Sequence, residues 1–301
     1  MATPSVLVTG SSGFIGRHLV DHLHALGHRV TALDLVEPRR PLPDGVRFLQ
    51  CDLRESALPR GSFEVIVHLA ALAGVRPSIE RAIDYELTNV LGTLRLLDHC
   101  RRTETRRFVL ASSSSVYGPD TPLPAREHAT PDPCSPYALT KLHAEQWGAL
   151  HARLHGLQFI ALRLFSVWGP DQRPDLAVES FRRSLLNGTP VTVLGDGSQR
   201  RDLTHVDDVV GAIGSAVLLN HPGATTINVG TGRSHSVLEI LEGVKSHLPE
   251  TSNLTPCVVH QPGHPADVPE TRASLEKSRN LLGWTPRIQF PNGPPLTQKK
   301  V

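Results

Sequence analysis

Short apolar runs alternate with longer amphipathic stretches along the first half of the chain. Val6-Leu7-Val8 is a compact apolar run that ends at Gly10, and an amphipathic stretch follows over residues 14–26. A second apolar run spans 30–35. The order of strand, glycine turn, helix and strand predicts a βαβ unit. Further buried strands are predicted at 46–49, 64–71, 108–112 and 159–164, with helical stretches around 83–102 and 136–155 between them. Alternation of this kind gives an α/β fold: a doubly wound, mostly parallel sheet covered on both faces.

After about residue 170 the pattern changes. Glycine and proline become frequent, the strands shorten, and helices are predicted at 177–186, 206–219 and 237–247. The expected division is a dinucleotide-binding domain over 1–170, a smaller α/β substrate-binding region over 171–289 interleaved with it, and an irregular tail over 290–301. At 39% hydrophobic and 20% charged residues, a sizeable core is expected and general disorder is not. A net charge of +2 favours neither nucleic acid nor a membrane surface as a partner. No apolar run reaches the roughly 20 residues that span a bilayer. Cys51, Cys100, Cys134 and Cys257 are scattered, which predicts no disulfide framework, no metal site and a reducing cytoplasm. The sixteen histidines are read as lacking a metal pattern, with His22 and His24 two apart and no His-x-x-x-His spacing, and most of them as solvated or structural.

The glycine turn carries the first chemistry. Thr9-Gly10-Ser-Ser-Gly13-Phe14-Ile15-Gly16 lies between the first strand and the first helix. Gly10 allows the tight turn, Gly13 lets a pyrophosphate approach the backbone, and Gly16 lets the helix pack on the strand. The helix N-terminus, with Phe14 and Ile15 in its first turn, offers free N–H groups and a dipole suited to phosphate. Asp34, eighteen residues after Gly16, ends the second strand. A carboxylate there accepts from an adenosine ribose and repels a 2′-phosphate, favouring NAD over NADP. Arg39 and Arg40, just beyond, are the counter-argument. Asp52 and Leu53, after the third strand, are candidate adenine contacts, with a simple helix cap as the alternative for Asp52.

Tyr137 and Lys141 stand four apart in a predicted helix, hence on one face. A cation beside a phenol favours the phenolate, a general base for alcohol oxidation. The chain has five lysines against twenty-six arginines, so lysine here is not background. The spacing alone fits an exposed surface helix equally well.

Several motifs in a fixed order are more specific than any one. They are the glycine turn, Leu69-Ala70-Ala71, Ser112-Ser-Ser-Ser-Val-Tyr-Gly118, Tyr137-x-x-x-Lys141, Arg163-Leu-Phe-Ser-Val-Trp-Gly-Pro170, and Arg201-Asp202-Leu-Thr-His-Val-Asp-Asp208. Together they resemble the extended short-chain dehydrogenase/reductase family from Val6 to about Gln289. Within it the likeness is greatest to UDP-glucuronate 4-epimerases, carried by Ala73-Gly-Val-Arg76, the serine run, and Arg173-Pro-Asp-Leu-Ala177. Trp168 and Leu176 replace a Tyr and a Met of that pattern.

The resemblance implies a Rossmann-like domain holding NAD, with Leu69, Ala70 and Ala71 beside the cofactor, and a UDP-sugar in the C-terminal region. It implies Ser113 as the hydroxyl that bonds the sugar O4, Tyr137 as base, and Lys141 as the cation that lowers the tyrosine pKa and holds the nicotinamide ribose. The implied intermediate is a β-keto acid, which must be kept from losing CO2. Ser114, Ser115 and Ser166 are the implied carboxylate contacts, and Arg173 either joins them or locks their loop. Serine cannot supply the acid that a dehydratase or decarboxylase needs at these positions. Arg201, and with it Arg76, is implied at the diphosphate, with a salt bridge to Asp202 as the alternative for Arg201. Thr192 is implied at uracil, and Asp267 at ribose. Arg272 replaces a Tyr, and its role is open. Cys134 reads as a small hydrophobe rather than a thiol catalyst. A homodimer through the helices around 83–102 and 136–155 follows by analogy. Gly283-Trp-Thr-Pro286 is followed by a Pro-rich tail where relatives have a helix. A 4-epimerase of another UDP or dTDP sugar, and a non-catalytic NAD sensor, are the competing expectations.

Overall fold

The structure, a computed structural model, describes residues 3–55, 58, 61–248 and 257–293. The apolar runs become strands and the amphipathic stretches helices. In chain order come β1 (Ser5–Thr9), α1 (Phe14–Ala25), β2 (Arg29–Asp34), β3 (Arg47–Gln50) and β4 (Val65–His68). Helices α2 (Val75–Glu80) and α3 (Ala82–Tyr85) then lead through a π-helical segment (Glu86–Leu91) into α4 (Gly92–Thr103). β5 (Arg107–Ser113) ends in a 3₁₀ turn (Ser114–Val116), followed by α5 (Pro136–His155) and β6 (Gln158–Leu164). The rest comprises β7 (Ser166–Trp168), α6 (Ala177–Asn187), β8 (Val191–Leu194), β9 (Arg200–His205), α7 (Val206–Leu218), β10 (Ala224–Val229), β11 (Ser234–Ser236), α8 (Val237–Ser246), β12 (Val258–Gln261) and α9 (Glu276–Leu282).

The main sheet has seven parallel strands in the order β10-β6-β5-β4-β1-β2-β3. Its strand order reverses between β1 and β4, and ligands bind at the carboxyl ends of strands beside such a switch point. Alternation within each strand builds two cores. Val6, Val8, Val65, Val67, Val109 and Ile160 face α1 and α7. Leu7, Ile66, Phe108, Leu110 and Phe159 point the other way, to the side of α4 and α5. Runs that are apolar at every position are therefore what a sheet covered on both faces requires.

β10 was not expected as a strand. Ala224-Thr-Thr-Ile-Asn-Val has too few apolar residues for a central run, and it lies at the sheet edge, paired along β6. The chain thus returns to the main layer with α7 and β10 after leaving it. Two further differences concern the first half. The strand expected over 64–71 stops at His68, and residues 69–71 turn away at the switch point. The single helix expected around 83–102 is interrupted by the π-helical segment, which buries Asn89.

The C-terminal elements pack around Trp168, Phe181, Val193, Leu203, Ile240 and Phe290. Here β9 lies between β7 and β11, and β8 pairs with β12. The Asp208 carboxylate anchors the stretch after α9, accepting from the N–H of Arg287 (3.0 Å) and Ile288 (2.8 Å). Phe290, assigned to the tail, is buried against Trp168. Residues 294–301 of that tail lie outside the described residues. Among the described residues no helix is long and apolar enough to cross a membrane.

Candidate active site

The glycine turn joins β1 to α1 at the switch point. Gly10 has φ +71°, and a Cβ there would lie 2.6 Å from the Ala70 nitrogen. At Gly16 a Cβ would lie 2.0 Å from the Gly10 oxygen, so helix and turn meet without room for a side chain. Gly13 is the N-cap of α1, whose end is capped by no side chain and carries no acid in its first turn. Ser11 Oγ in the turn and Arg17 Nε in the helix are buried without a hydrogen-bond partner. Uncapped N–H groups with orphaned donors beside them fit a dinucleotide diphosphate.

Asp34 has a second task beyond the ribose contact expected of it. Its carboxylate accepts from the N–H of Ser12 (2.9 Å) and of Val36 (3.2 Å), tying the glycine turn to the end of β2. Arg40 reaches back to Asp21 on α1 (2.8 Å). The Asp52 carboxylate is bound by Arg54 through backbone and guanidinium, which holds its pKa below the usual range. Leu53 is buried in the core against α4. Its side chain therefore serves packing. Leu69 and Ala70 donate their N–H groups to the backbone oxygen and hydroxyl of Thr9, and the chain continues through Ala71 over the carboxyl end of β1.

Tyr137 and Lys141 lie in the first turns of α5. Ser135 caps that helix by accepting from Ala138 N–H (3.2 Å), and Pro136 follows, where its missing N–H costs nothing. Lys141 is only 5% exposed, and its ammonium donates to the Ala111 carbonyl (2.8 Å). Burial lowers its pKa to about 8, with Glu145 opposing. The ammonium sits 5.9 Å from the Tyr137 ring centre. Burial raises the Tyr137 pKa, while a hydrogen bond with Ser113 and the charge of Arg173 pull it down. Burial thus holds the phenol above its ordinary value, and the Lys141 ammonium lies between the Tyr137 ring and the β5 backbone.

The serine run forms the end of β5 and the turn beyond it. Ser113 Oγ donates to Ser115 Oγ (3.1 Å) and accepts from Ser115 N–H (3.1 Å). Ser113 and Ser114 are buried, and Ser115 and Ser166 are half-buried. Arg173 holds Asp175 through two nitrogens, at 2.9 and 2.7 Å. That pair uses Nε and Nη2 and leaves the Nη1 edge of the guanidinium free.

A second group lies in the C-terminal region. Arg76 pairs with Asp267 (2.6 Å), bringing the loop after β4 to that region. Arg201 feels the charge of both, and burial lowers its pKa. Arg201 is not spent on Asp202. That carboxylate accepts from the N–H groups of Thr231 (2.7 Å), Gly232 (2.9 Å) and Ala273 (3.0 Å), and from the Thr231 hydroxyl (2.6 Å). Thr192 lies in β8, an edge strand whose side away from β12 has no strand partner among the described residues.

Some positioning residues escape the sequence reading. His68 bridges Thr9 (2.7 Å) and Thr93 (3.0 Å), and burial, with Lys141 adding to it, lowers its pKa to about 3. Asn89, in the π-helical segment, accepts from Leu72 N–H (2.8 Å) and donates to the Thr140 hydroxyl (3.0 Å), which in turn donates to the Tyr137 carbonyl (2.8 Å). Glu145 on α5 receives two nitrogens of Arg163 on β6 (3.0 and 2.7 Å) and the Ser112 hydroxyl of β5. That buried pair clamps α5 to the two central strands. The available signal was a charged or polar residue inside an apolar run, as Arg163 is in Phe159-Ile-Ala-Leu-Arg-Leu-Phe165.

Among the described residues no group of three His, Cys, Asp or Glu side chains is placed to hold a metal ion. The chain does contain the His-x-x-x-His spacing, at 18/22, 24/28, 151/155 and 260/264, which corrects the reading that no such spacing occurs.

Comparison with known proteins gives a consistent result. The profile of the "NAD dependent epimerase/dehydratase family" matches residues 6–230. A UDP-glucuronate 4-epimerase of Thermodesulfobacterium geofontis is 33% identical over 95% of this chain and 93% of its own length. The structure of MoeE5 in complex with UDP-glucuronic acid and NAD superposes with TM-score 0.86 at 39% identity, covering 96% of both chains. MoeE5 has also been solved with UDP-glucose and NAD, at 40% identity and TM-score 0.86, covering 96% of this chain and 95% of that one.

Proposed function

This chain belongs to the NAD dependent epimerase/dehydratase family, and from that premise we propose that it interconverts UDP-glucuronic acid and UDP-galacturonic acid. The observation that carries the reading is the union of Tyr137, Lys141 and the serine run at the carboxyl end of β5, with no acid at 114 or 115. NAD-dependent enzymes of nucleotide sugars are the common denominator of the relatives.

Gly10, Gly13, Phe14, Ile15, Gly16, Asp34 and the 69–71 turn would hold NAD, with Asp52 and Leu53 at its adenine end. When bound, NAD supplies the hydride acceptor and donor at sugar C4. The chain's own residues handle the proton. Ser113 orients the O4 hydroxyl, and Tyr137 takes its proton and later returns it to O4, after the 4-keto sugar has turned its opposite face. Lys141, pinned to Ala111, places a charge behind the tyrosine. A C5 carboxylate beside a C4 ketone loses CO2 when its bond aligns with the carbonyl. Ser114, Ser115 and Ser166 hold it by neutral donors and offer no acid to complete that loss. Arg201 and Arg76 face the diphosphate, Asp267 the ribose, and the free edge of β8 at Thr192 the uracil. In this assignment residues 1–170 hold NAD and 171–289 hold the nucleotide, with α7 and β10 returning to the main layer.

Two further parts of the reading follow. Ile83, Leu87 and Leu91 are exposed beside Leu139 and Trp147 of α5, an apolar face suited to a second copy of the chain. The scattered cysteines, none in a disulfide among the described residues, fit a reducing cytoplasm.

The test is incubation with UDP-glucuronate and with UDP-glucose, following the sugar C4 proton by NMR. Conversion of UDP-glucuronate with no pentose product is expected, and turnover of UDP-glucose alone would refute the substrate assignment. The second reading, a UDP-glucose 4-epimerase, draws on the MoeE5 complex with that nucleotide.

A further inference from the structure

We infer that His68 is a positioning residue for the hydride step, and that it works as a neutral ring carrying its proton on Nε2. Its role rests on the proposed function, in which Tyr137 is the base. His68 ends β4 at the switch point and is buried. Its ring lies between two hydroxyls, with Nδ1 at 2.7 Å from Thr9 Oγ1 and Nε2 at 3.0 Å from Thr93 Oγ1. A neutral imidazole donates from one nitrogen and accepts at the other, so the two neighbours decide which does which.

Those neighbours leave one arrangement. The Thr93 hydroxyl donates its proton to the Asn89 carbonyl (2.5 Å), an oxygen that only accepts. Toward His68, Thr93 is therefore an acceptor, and Nε2 carries the proton. Nδ1 is left bare and accepts from the Thr9 hydroxyl, whose oxygen accepts from the Ala70 N–H (3.3 Å). Hydrogen bonds thus run in one direction, from Ala70 through Thr9, His68 and Thr93 to Asn89. A cationic ring would turn a second N–H on Thr9, deprive the Thr9 proton of this acceptor and add a charge near the Lys141 ammonium. Burial, with Lys141 adding to it, lowers the His68 pKa to about 3, which keeps the ring neutral.

The bonds continue to the catalytic helix. The Asn89 amide accepts from the Leu72 N–H (2.8 Å) and donates to the Leu72 carbonyl (3.0 Å) and the Thr140 hydroxyl (3.0 Å). Thr140 in turn donates to the Tyr137 carbonyl (2.8 Å). The turn over 69–72, a proposed cofactor contact, is thereby tied at Leu69 and Ala70 to Thr9 and at Leu72 to Asn89. One set of bonds fixes the cofactor turn and the first turns of α5 against each other, and His68 is the link between its two halves. Asn89 reaches both sides from the π-helical segment, a form that recurs at functional sites. Hydride and proton transfer need close alignment, and a misplacement of about 1 Å costs up to about 10²-fold in rate.

Two measurements test this. In NMR of enzyme labelled with heavy nitrogen at histidine, with His68 assigned through His68→Gln, Nε2 should carry the proton. The ring should not titrate between about pH 5 and 8, where an ordinary histidine does. A proton on Nδ1, or titration in that range, overturns the inference. Kinetics then compare Thr93→Val and Thr140→Val, which keep the shape and lose the hydroxyl, with Thr93→Ser and Thr140→Ser, which keep it. On UDP-glucuronate the valine variants should lose about 10- to 100-fold in kcat, with KM and bound NAD changed less than about twofold. Deuterium at the sugar C4 should slow them more than it slows wild type, and the serine variants should recover most of the loss. Unchanged kcat with valine, equal losses with serine and valine, or a loss through KM or NAD alone overturns the positioning role. If wild type turns over UDP-glucose alone, the substrate assignment falls, and the same comparison on that sugar decides the role of His68. If wild type turns over neither, both fall.

Discussion

Replacing Lys141 by Met should stabilise the nucleotide-stripped protein while abolishing its activity. The ammonium is buried and its pKa falls from 10.5 to about 8. At about 1.4 kcal/mol per pKa unit, keeping it charged at neutral pH costs the fold roughly 3 kcal/mol. Met fills similar volume without charge, but it loses the bond to the Ala111 carbonyl, worth about 1 kcal/mol. The expected net gain at pH 7 is therefore roughly 2 kcal/mol. The sign with pH follows from proton counts. Between about 8 and 10.5 the unfolded lysine keeps a proton that the folded one has lost. Stability of the wild type should then rise with pH across that window, and the penalty is full below it. Urea unfolding of both proteins at pH 7 and pH 10.5 isolates this contribution, because other groups titrate alike in each. The advantage of the variant should shrink or reverse by pH 10.5. A variant no more stable than wild type at pH 7, with the same pH slope, would refute the reasoning. Such a result would mean that the site solvates the ammonium well.

Three other outcomes are expected. Tyr137→Phe should lower kcat by about 10² to 10⁴, the usual contribution of a general base, with NAD still bound by absorbance; full activity would remove Tyr137 from the chemistry. Glu145→Ala strands the buried Arg163 charge and should cost about 3–5 kcal/mol in urea unfolding, whereas a loss below about 1 kcal/mol would show that Arg163 finds other partners. Arg173→Ala breaks a pair whose members are 36% and 56% exposed, so stability should change by less than about 1 kcal/mol. Epimerase activity should fall and pentose product appear, and unchanged epimerisation without pentose would sink the role of that loop.

The conspicuous parts of the site were legible because local chemistry dictates them. A tight turn against Ala70 and a helix pressed on Gly10 demand glycine, so the cofactor turn is written as Gly10, Gly13 and Gly16. Tyr137 and Lys141 share a face because a helix repeats every 3.6 residues, and Ser135-Pro136 announces where that helix starts. What stayed hidden depends on partners far apart in sequence. Nothing near His68 points to Thr93, or near Asn89 to Thr140. Arg163 and Glu145 meet only because β6 and α5 stack on β5.

Periodicity alone therefore determined the parallel sheet, its covering helices, the glycine turn and the Tyr–Lys face, since each is a property of ten or twenty consecutive residues. Tertiary packing decided the rest. It placed β10 at the sheet edge, bonded Lys141 to Ala111, raised the phenol pKa by burial, paired Arg173 with Asp175 and brought Arg272 and Ser114 to the lining of one pocket. The reason is that burial and charge contacts are summed over neighbours in space, and Ser114 and Arg272 become neighbours only when residues 125 and 273 pair across the fold.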